Sequence, residues 1–572
     1  MMKQIIPILL LLSALFSCEP KQTFYDMVIY NGIVYTLDEE QPQAEAVAVE
    51  DGKIVFVGSN EEVQAFIGDS TQVLDLQGKT LLPGLIDAHA HLMGIGENRI
   101  QLDLSQVKSY EELVEMVKKK AGSLKPGEWV LGRGWHQDKW MQMPEPSVKG
   151  FPVHELLSAA SPDNPVFLRH ASGHAGLANQ KAMEEAGLIQ LTAQEIDALE
   201  GERGEIIRDG KGKPTGIFNE TAMEAIASHI PTSSAEYYQK VLQLAIEECL
   251  ANGITSLHDA GVGPEVIELY KKQAAEGQLD MRLYVMLDGS NEELLKQYFQ
   301  SGPELNLGQG FLDIRSIKLF ADGALGSRGA WLLEPYDDRH EHSGHAVTPM
   351  EEIGNIAKKG FANGFQVCTH AIGDRANREV LNLYEEAFRQ SADASEDHRF
   401  RIEHAQHISI EDIPRFAELG VIPSVQAIHM SSDRPWAIDR LGTQRIEEGA
   451  YVWQKLLQSG AKVINGTDAP VEPVNPMACF YAAVTRKTLK GEPEGGYEPG
   501  QKMTREQALK TYTLEAAYGA FQETWKGSVE VGKVADFTIL SQDIMKVPEE
   551  DILNTKVAYT IVDGKIVFER KE

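Results

Sequence analysis

The stretch Leu82-Pro83-Gly84-Leu85-Ile86-Asp87-Ala88-His89-Ala90-His91 ends in two imidazoles separated by one residue. Side chains at i and i+2 of an extended segment project from the same face, so His89 and His91 can bind one metal ion together. A solvent-exposed surface pair is the bland alternative for any H-x-H. Here the apolar Leu85-Ile86 run and the Pro83-Gly84 break place the pair at the end of a buried strand instead.

At 572 residues the chain exceeds the size at which one core keeps growing, so a large barrel-sized domain with additional parts is expected. Lysine plus arginine number 54 against 85 acids, a formal charge of −31, which argues against nucleic-acid binding because phosphate contacts need a basic surface. Four cysteines, Cys18, Cys249, Cys368 and Cys479, show no C-x-x-C spacing that would mark a zinc knuckle or redox pair. Cys368 and Cys479 sit among apolar neighbours and read as buried hydrophobes. At the N-terminus, Met1-Met2-Lys3 leads into an apolar run from Ile5 to Phe16 that is too short to remain as a membrane span and ends at Leu15-Phe16-Ser17-Cys18. This resembles a bacterial lipoprotein signal. Residues 1–17 would be removed, Cys18 would carry a lipid at the head of a tether over 18–23, and the mature chain would be exported to the cell envelope. An ordinary secretory signal with a periplasmic or secreted product is the alternative.

Strand patterns cluster at both ends of the chain. Met27 to Tyr35 and Ala46 to Val49 are followed by Asp51-Gly52-Lys53, a hairpin turn into Ile54 to Val57. Lys533 to Leu540 and Val557 to Val562 are followed by a second such turn, Asp563-Gly564-Lys565. Neither set suffices for a sheet core, so residues 24–80 and 526–572 are expected to fold together as one small β-sandwich. Between them, over 81–525, strand-like runs alternate with helical patterns, as in parallel β/α units. Eight candidates occur in order: Leu81 to His89, Ile254 to His258, Arg282 to Leu287, Ile314 to Phe320, Phe365 to His370, Arg401 to Ala405, Ile422 to Gln426 and Val463 to Asp468. The long interval 92–250 carries its own helices and Pro-rich breaks and reads as an inserted subdomain. The expected fold class is α/β: a (β/α)8 TIM-type barrel with a composite N-/C-terminal β-sandwich domain and a large insertion after the first barrel strand.

The motif P-G-x-I-D-x-H-x-H at Pro83 to His91 resembles the first-strand motif of the amidohydrolase superfamily. Gly132-Arg133-Gly134-Trp135 and Arg169-His170-Ala171-Ser172-Gly173-His174-Ala175 further resemble the branch containing the N-substituted formamide deformylases, over residues 24 to 572. The resemblance implies a metal-ligand set of His89, His91, Lys318, His370, His404 and Asp468, and such residues at strand ends would converge on one barrel mouth. Mixed nitrogen and oxygen donors suit one or two divalent ions, zinc before others. Lys318, between apolar residues on a buried strand, has its charged form disfavoured. A neutral amine there can take up carbon dioxide, and the carboxylated lysine would bridge two metals; a salt bridge to Asp322 or Glu220 is the alternative.

The activity implied is hydrolysis of a C–N bond in an amide, formamide, carbamate or cyclic amide by metal-activated hydroxide, with Asp468 as general base and acid. Trp135, His174, Arg328 and Gln426 lie in or beside matching family segments and are candidates for substrate binding, with packing or an ion pair as the structural reading of each. Two competing functions are a non-catalytic substrate-binding lipoprotein on the same fold and a ring deaminase. The latter lacks a helical glutamate beside His370, where Asp374 follows instead. The partners expected are a small-molecule substrate, a membrane through the lipid on Cys18, and a second copy of the chain in a homodimer, with no nucleic acid.

Overall fold

The computed structural model describes residues 25–571 except 138–139, 172, 174, 201–203, 232–233 and 391–396. The expected signal peptide, Cys18 and its tether therefore lie outside the described residues. Among the described residues no helix is long and apolar enough to cross a membrane.

Eight parallel strands form the central barrel: β1 (Leu85–Ala90), β2 (Ile254–Val262), β3 (Arg282–Asp288), β4 (Leu312–Phe320), β5 (Gln366–Ala371), β6 (Arg401–His404), β7 (Ile422–Val425) and β8 (Ile464–Asn465). They pair in chain order from β1 to β8. Closure is made just beyond β8, where Asp468 N donates to His89 O at 2.7 Å and His91 N donates to Ala469 O at 2.7 Å. The Asp87 carboxylate reinforces the seam by accepting from Thr467 N at 3.0 Å and Thr467 Oγ1 at 2.6 Å. Strand ends that carry candidate ligands are thereby drawn to one mouth.

The run Leu81 to His89 divides at Gly84. Thr80–Pro83 pairs with Phe537–Leu540 and Ile33–Tyr35 in another sheet, and only from Leu85 does the chain enter the barrel. A Cβ on Gly84 would lie 2.2 Å from Thr255 Oγ1, so a side chain at this junction would drive the barrel and the neighbouring sheet apart. That sheet has six strands and takes Phe537–Leu540, Val557–Val562 and Lys565–Glu569 from the C-terminal end and the rest from the N-terminal end. It faces a four-stranded N-terminal sheet across a core that includes Ile29, Val47, Leu81, Phe537, Ile539 and Ile561. The composite sandwich follows from this pairing, because Thr80–Pro83 of the N-terminal part pairs directly with Phe537–Leu540 of the C-terminal part. Both expected hairpins form, with consecutive positive φ at Asp51 and Gly52 (48° and 72°) and at Asp563 and Gly564 (54° and 72°).

Helix Leu92–Ile100 starts at His91 and leads into the inserted segment, whose six-stranded sheet spans Leu102 to Asn219. Apolar clusters cover both faces of that sheet. Helix Ala235–Ala251 then returns the chain to β2.

The barrel floor holds charge. Arg282, buried at the start of β3, donates to Asp536 Oδ2 from Nε at 2.7 Å and to Asp563 Oδ1 at 3.4 Å, tying barrel to sandwich. Above it the buried Lys526 donates to Ser256 Oγ at 2.6 Å. Burial, and then the Arg282 charge, push the Lys526 amine down to about 7. Between that value and the ordinary 10.5 the unfolded chain holds a proton that the folded chain has released, so this lysine makes stability rise with pH across the window and imposes its full cost below about pH 7. Lys526→Met is therefore expected to melt above the parent at pH 7, with the difference narrowing towards pH 10; a gap that is negative or independent of pH in paired melting curves would refute this.

Candidate functional site

Three histidines at the mouth have one ring nitrogen fixed by an acceptor. His89 Nδ1 donates to Glu403 Oε2, His91 Nδ1 to the Ala260 carbonyl at 2.9 Å, and His404 Nδ1 to Gln426 Oε1 at 2.6 Å. A carboxylate and a backbone carbonyl accept only, and the Gln426 amide is oriented by Nε2 donating to Ser424 O at 3.2 Å. The proton is thus assigned to Nδ1 in each ring, leaving Nε2 as a lone-pair donor. His89 Nε2 lies 3.5 Å and His91 Nε2 3.3 Å from Asp468 Oδ1. His89, His91 and Asp468 can hold a divalent ion, and His404, His429 and Asp468 make a second such group that shares the carboxylate.

Electrostatics favour that use. Burial pushes the His89 ring down to about 4 and the His370 ring down to about 3, and it holds His404 well below the usual range. Neutral imidazole is the form that ligates. The Nε2 atoms of His370 and His429 are buried without a hydrogen-bond partner, although His429 Nε2 stands 3.7 Å from Asp468 Oδ2 and His370 Nε2 stands 3.5 Å from Asp322 Oδ1. Burial alone would raise the Asp468 carboxyl, but its neighbours, His91 first, hold it well below the usual carboxylate range. Unpartnered ring nitrogens around an ionised carboxylate fit a divalent cation.

The remaining expected ligands stand in the same cluster. The His370 ring lies 4.4 Å from that of His404, centroid to centroid. Lys318 Nζ is 3.3 Å from His89 Nε2, and burial lowers its pKa from the ordinary value. Among the described residues it makes no ion pair with Asp322, whose carboxylate instead accepts from Trp331 N, Ile372 N and Gly373 N at 2.8, 3.0 and 2.8 Å.

The expected substrate-binding residues separate. Trp135 is fully buried in the inserted domain's core and donates to Leu168 O at 2.9 Å. Arg328 is committed to Asp338 by two bonds of 3.0 and 2.7 Å. Gln426 orients His404, as described above. His174 lies outside the described residues.

Glu403 was the functional residue the sequence reading passed over, together with Arg401 and His429. Arg401 Nε donates to Glu403 Oε1 at 2.7 Å and its Nη2 to Glu403 Oε2 at 2.9 Å. The other donors reach Ala88 O at 2.6 Å, Ser424 Oγ at 3.1 Å and His258 Nδ1 at 3.0 Å. Burial would raise the Glu403 carboxyl, but Arg401 and then His89 hold it well below the usual range. A signal existed in the alternation Arg401-Ile402-Glu403, two opposite charges two residues apart on one face of a buried strand. Glu403 and His404 both reach the site, although strand alternation sends neighbours to opposite faces. The left-handed φ of His404 (74°) and Ala405 (40°) breaks that alternation, and Asp468 (φ 57°) is similarly turned at the end of β8.

Glu403→Gln keeps the shape and removes the charge that orients His89. Metal affinity, read by competition with a chromogenic chelator, is expected to fall ~10- to 100-fold; affinity equal to the parent's would show that Glu403 does not support the donor set.

The sequence pattern of the amidohydrolase family matches residues 72–568. The chain is 32% identical over 548 residues to the putative amidohydrolase YtcJ of Bacillus subtilis (strain 168), covering 95% of this chain and 99% of that one. It is 28% identical over 563 residues to the N-substituted formamide deformylase of Arthrobacter pascens, covering 95% and 98% respectively. An uncharacterized metal-dependent hydrolase from Pyrococcus horikoshii OT3 has the same fold with a TM-score of 0.74 at 28% identity, covering 91% of this chain and 99% of its own. With a family match over most of its length and the same barrel, this chain belongs to the amidohydrolase family.

Proposed function

We propose that the protein is a metal-dependent hydrolase of non-peptide C–N bonds in amides, formamides, carbamates or cyclic amides. The observation that carries this reading is the set of three Nδ1-anchored histidines whose free nitrogens stand beside Asp468. Similarity to a formamide deformylase and to a metal-dependent hydrolase supports the reaction class. His89, His91, Lys318, His370, His404 and Asp468 would hold one or two divalent ions, zinc before others. Bound there, such an ion supplies a nucleophilic water at neutral pH and polarises the scissile carbonyl.

The chain's own groups do the rest. Asp468, ionised and facing four imidazoles, accepts the proton of the attacking water and returns it to the leaving nitrogen. Lys318, once deprotonated to the neutral amine, adds to carbon dioxide through a new N–C bond and releases a second proton, so that an ammonium 3.3 Å from His89 Nε2 becomes an anionic oxygen donor. The proposed setting for this chemistry is outside the cytoplasm, with the mature chain anchored through Cys18.

Metal analysis of the purified protein tests the site. About two ions per chain, falling in Lys318→Ala, supports the carboxylated lysine; an equal count in both proteins would make the lysine structural. Against a panel of formamides and amides, Asp468→Asn is expected to lose ~10²- to 10⁴-fold in turnover. Full activity in that variant would remove Asp468 from the mechanism.

A further inference from the structure

Two arginines of the inserted domain stand side by side at the rim of the site. Strands Val130–Trp135 and Val166–His170 run parallel with Arg133 in register with Arg169. Alternation places Arg133 on the face of Leu131 and Arg169 on the face of Phe167, and both of those apolar residues belong to one buried cluster on one side of the sheet. The guanidiniums therefore emerge together beyond its edge. At the ~5 Å spacing of neighbouring strands, two like charges repel each other.

Neither arginine forms an ion pair with a carboxylate among the described residues. Glu97, on the helix that begins at His91, has its pKa raised by burial, and the charges of Arg169 and Arg133 oppose that shift. Asp103 is in register with Arg133, but its carboxylate already accepts from Ser105 N at 2.9 Å. Arg133 also lies within electrostatic range of Asp468. On a chain of net charge −31, anions are repelled unless cations are concentrated locally.

We propose that Arg133 and Arg169 form a subsite for a substrate carboxylate that is remote from the scissile C–N bond. Two guanidinium forks offer a carboxylate paired charge-assisted hydrogen bonds. The nearby Glu97 and Asp468 disfavour a dianion, which points to a carboxylate in preference to a phosphate. The inference rests on the C–N hydrolase reading above and narrows its substrates to anionic amides.

Matched probes separate the two claims. Calorimetric titration of the metal-loaded enzyme compares 4-(acetamidomethyl)benzoate with N-benzylacetamide, and turnover assays compare the corresponding formamides. The carboxylate probe is expected to bind at least ~10-fold more tightly than the neutral one, a preference abolished in Arg133→Gln/Arg169→Gln and partly restored by lysine at both positions. Equal affinity for the two probes, no binding of the carboxylate probe, or an undiminished preference in the double variant overturns the subsite. Turnover of the neutral formamide in that event leaves the hydrolase reading standing. Carboxylate-selective binding without turnover of any panel member keeps the subsite and sinks the hydrolase.

Discussion

The Arg401–Glu403–His89 chain is the interaction on which the rest of the site depends. All three side chains are 0% exposed, so each charge relies on its neighbour. Glu403 has both oxygens engaged by Arg401 and one also by His89. Arg401, in turn, spends its remaining donors on β1, β2 and β7 through Ala88, His258 and Ser424. Replacing such a pair with apolar residues of similar volume is often neutral for stability, whereas removing one partner strands a buried charge. The network is better understood as an orienting device. It sets the tautomer of His89 and spans the barrel interior, so a shift in any of four strands would be felt at one imidazole.

Closure and site construction are one event in this barrel. β8 pairs with β7, and its continuation reaches β1 through Thr467, Asp468 and Ala469, the segment that delivers the carboxylate to His89 and His91. Asp87, buried and pushed up to about 6 by that burial, holds the seam through Thr467. The backbone at Asp468 is left-handed, a conformation that costs on the order of 1–3 kcal/mol for a residue with a side chain. Two backbone hydrogen bonds to β1 and the Asp87 carboxylate hold it there. The same economy appears at the floor, where Arg282 joins β3 to acids that flank the sandwich strands, making the terminal sheets part of the barrel's support.

The parallel strands were legible because a strand buried on both faces is rich in apolar residues, and the two Asp-Gly turns were legible because their left-handed backbone restricts the residue choice. The division at Gly84 was not, since Leu81-Leu82-Pro83 and Leu85-Ile86 form one apolar run and only three-dimensional pairing assigns the first half to the sandwich. Within the site, His89 and His91 followed from same-face spacing. Lys318, His370, His404 and Asp468 came from strand ends together with family likeness. Glu403 was hidden by its neighbour, because alternation allows one of two adjacent residues to face inward and the positive φ at His404 that admits both leaves no mark in composition. The surroundings of Trp135 and Arg328 were not legible for a related reason. A tryptophan or arginine in a motif is equally consistent with substrate contact and with packing or an ion pair, and the partners that decide, Leu168 and Asp338, are remote from the motif or unremarkable within it.

Charge accounting connects the buried network to Lys318. Glu403 is balanced by Arg401, and burial keeps His89, His370 and His404 neutral, so the rings add no positive charge. Asp322 is raised to about 7 by its burial and is served by three backbone N–H groups, which leaves Lys318 and Asp468 as the opposite charges facing the cluster. A divalent cation near His89 Nε2 would meet an ammonium 3.3 Å from that same nitrogen, and the two cannot share it without strong repulsion. Loss of the lysine proton relieves the conflict, and burial already favours that loss. Conversion to a carbamate goes further, replacing a competing cation with an anionic donor. The electrostatic demand of a filled site therefore disfavours an ammonium at Lys318.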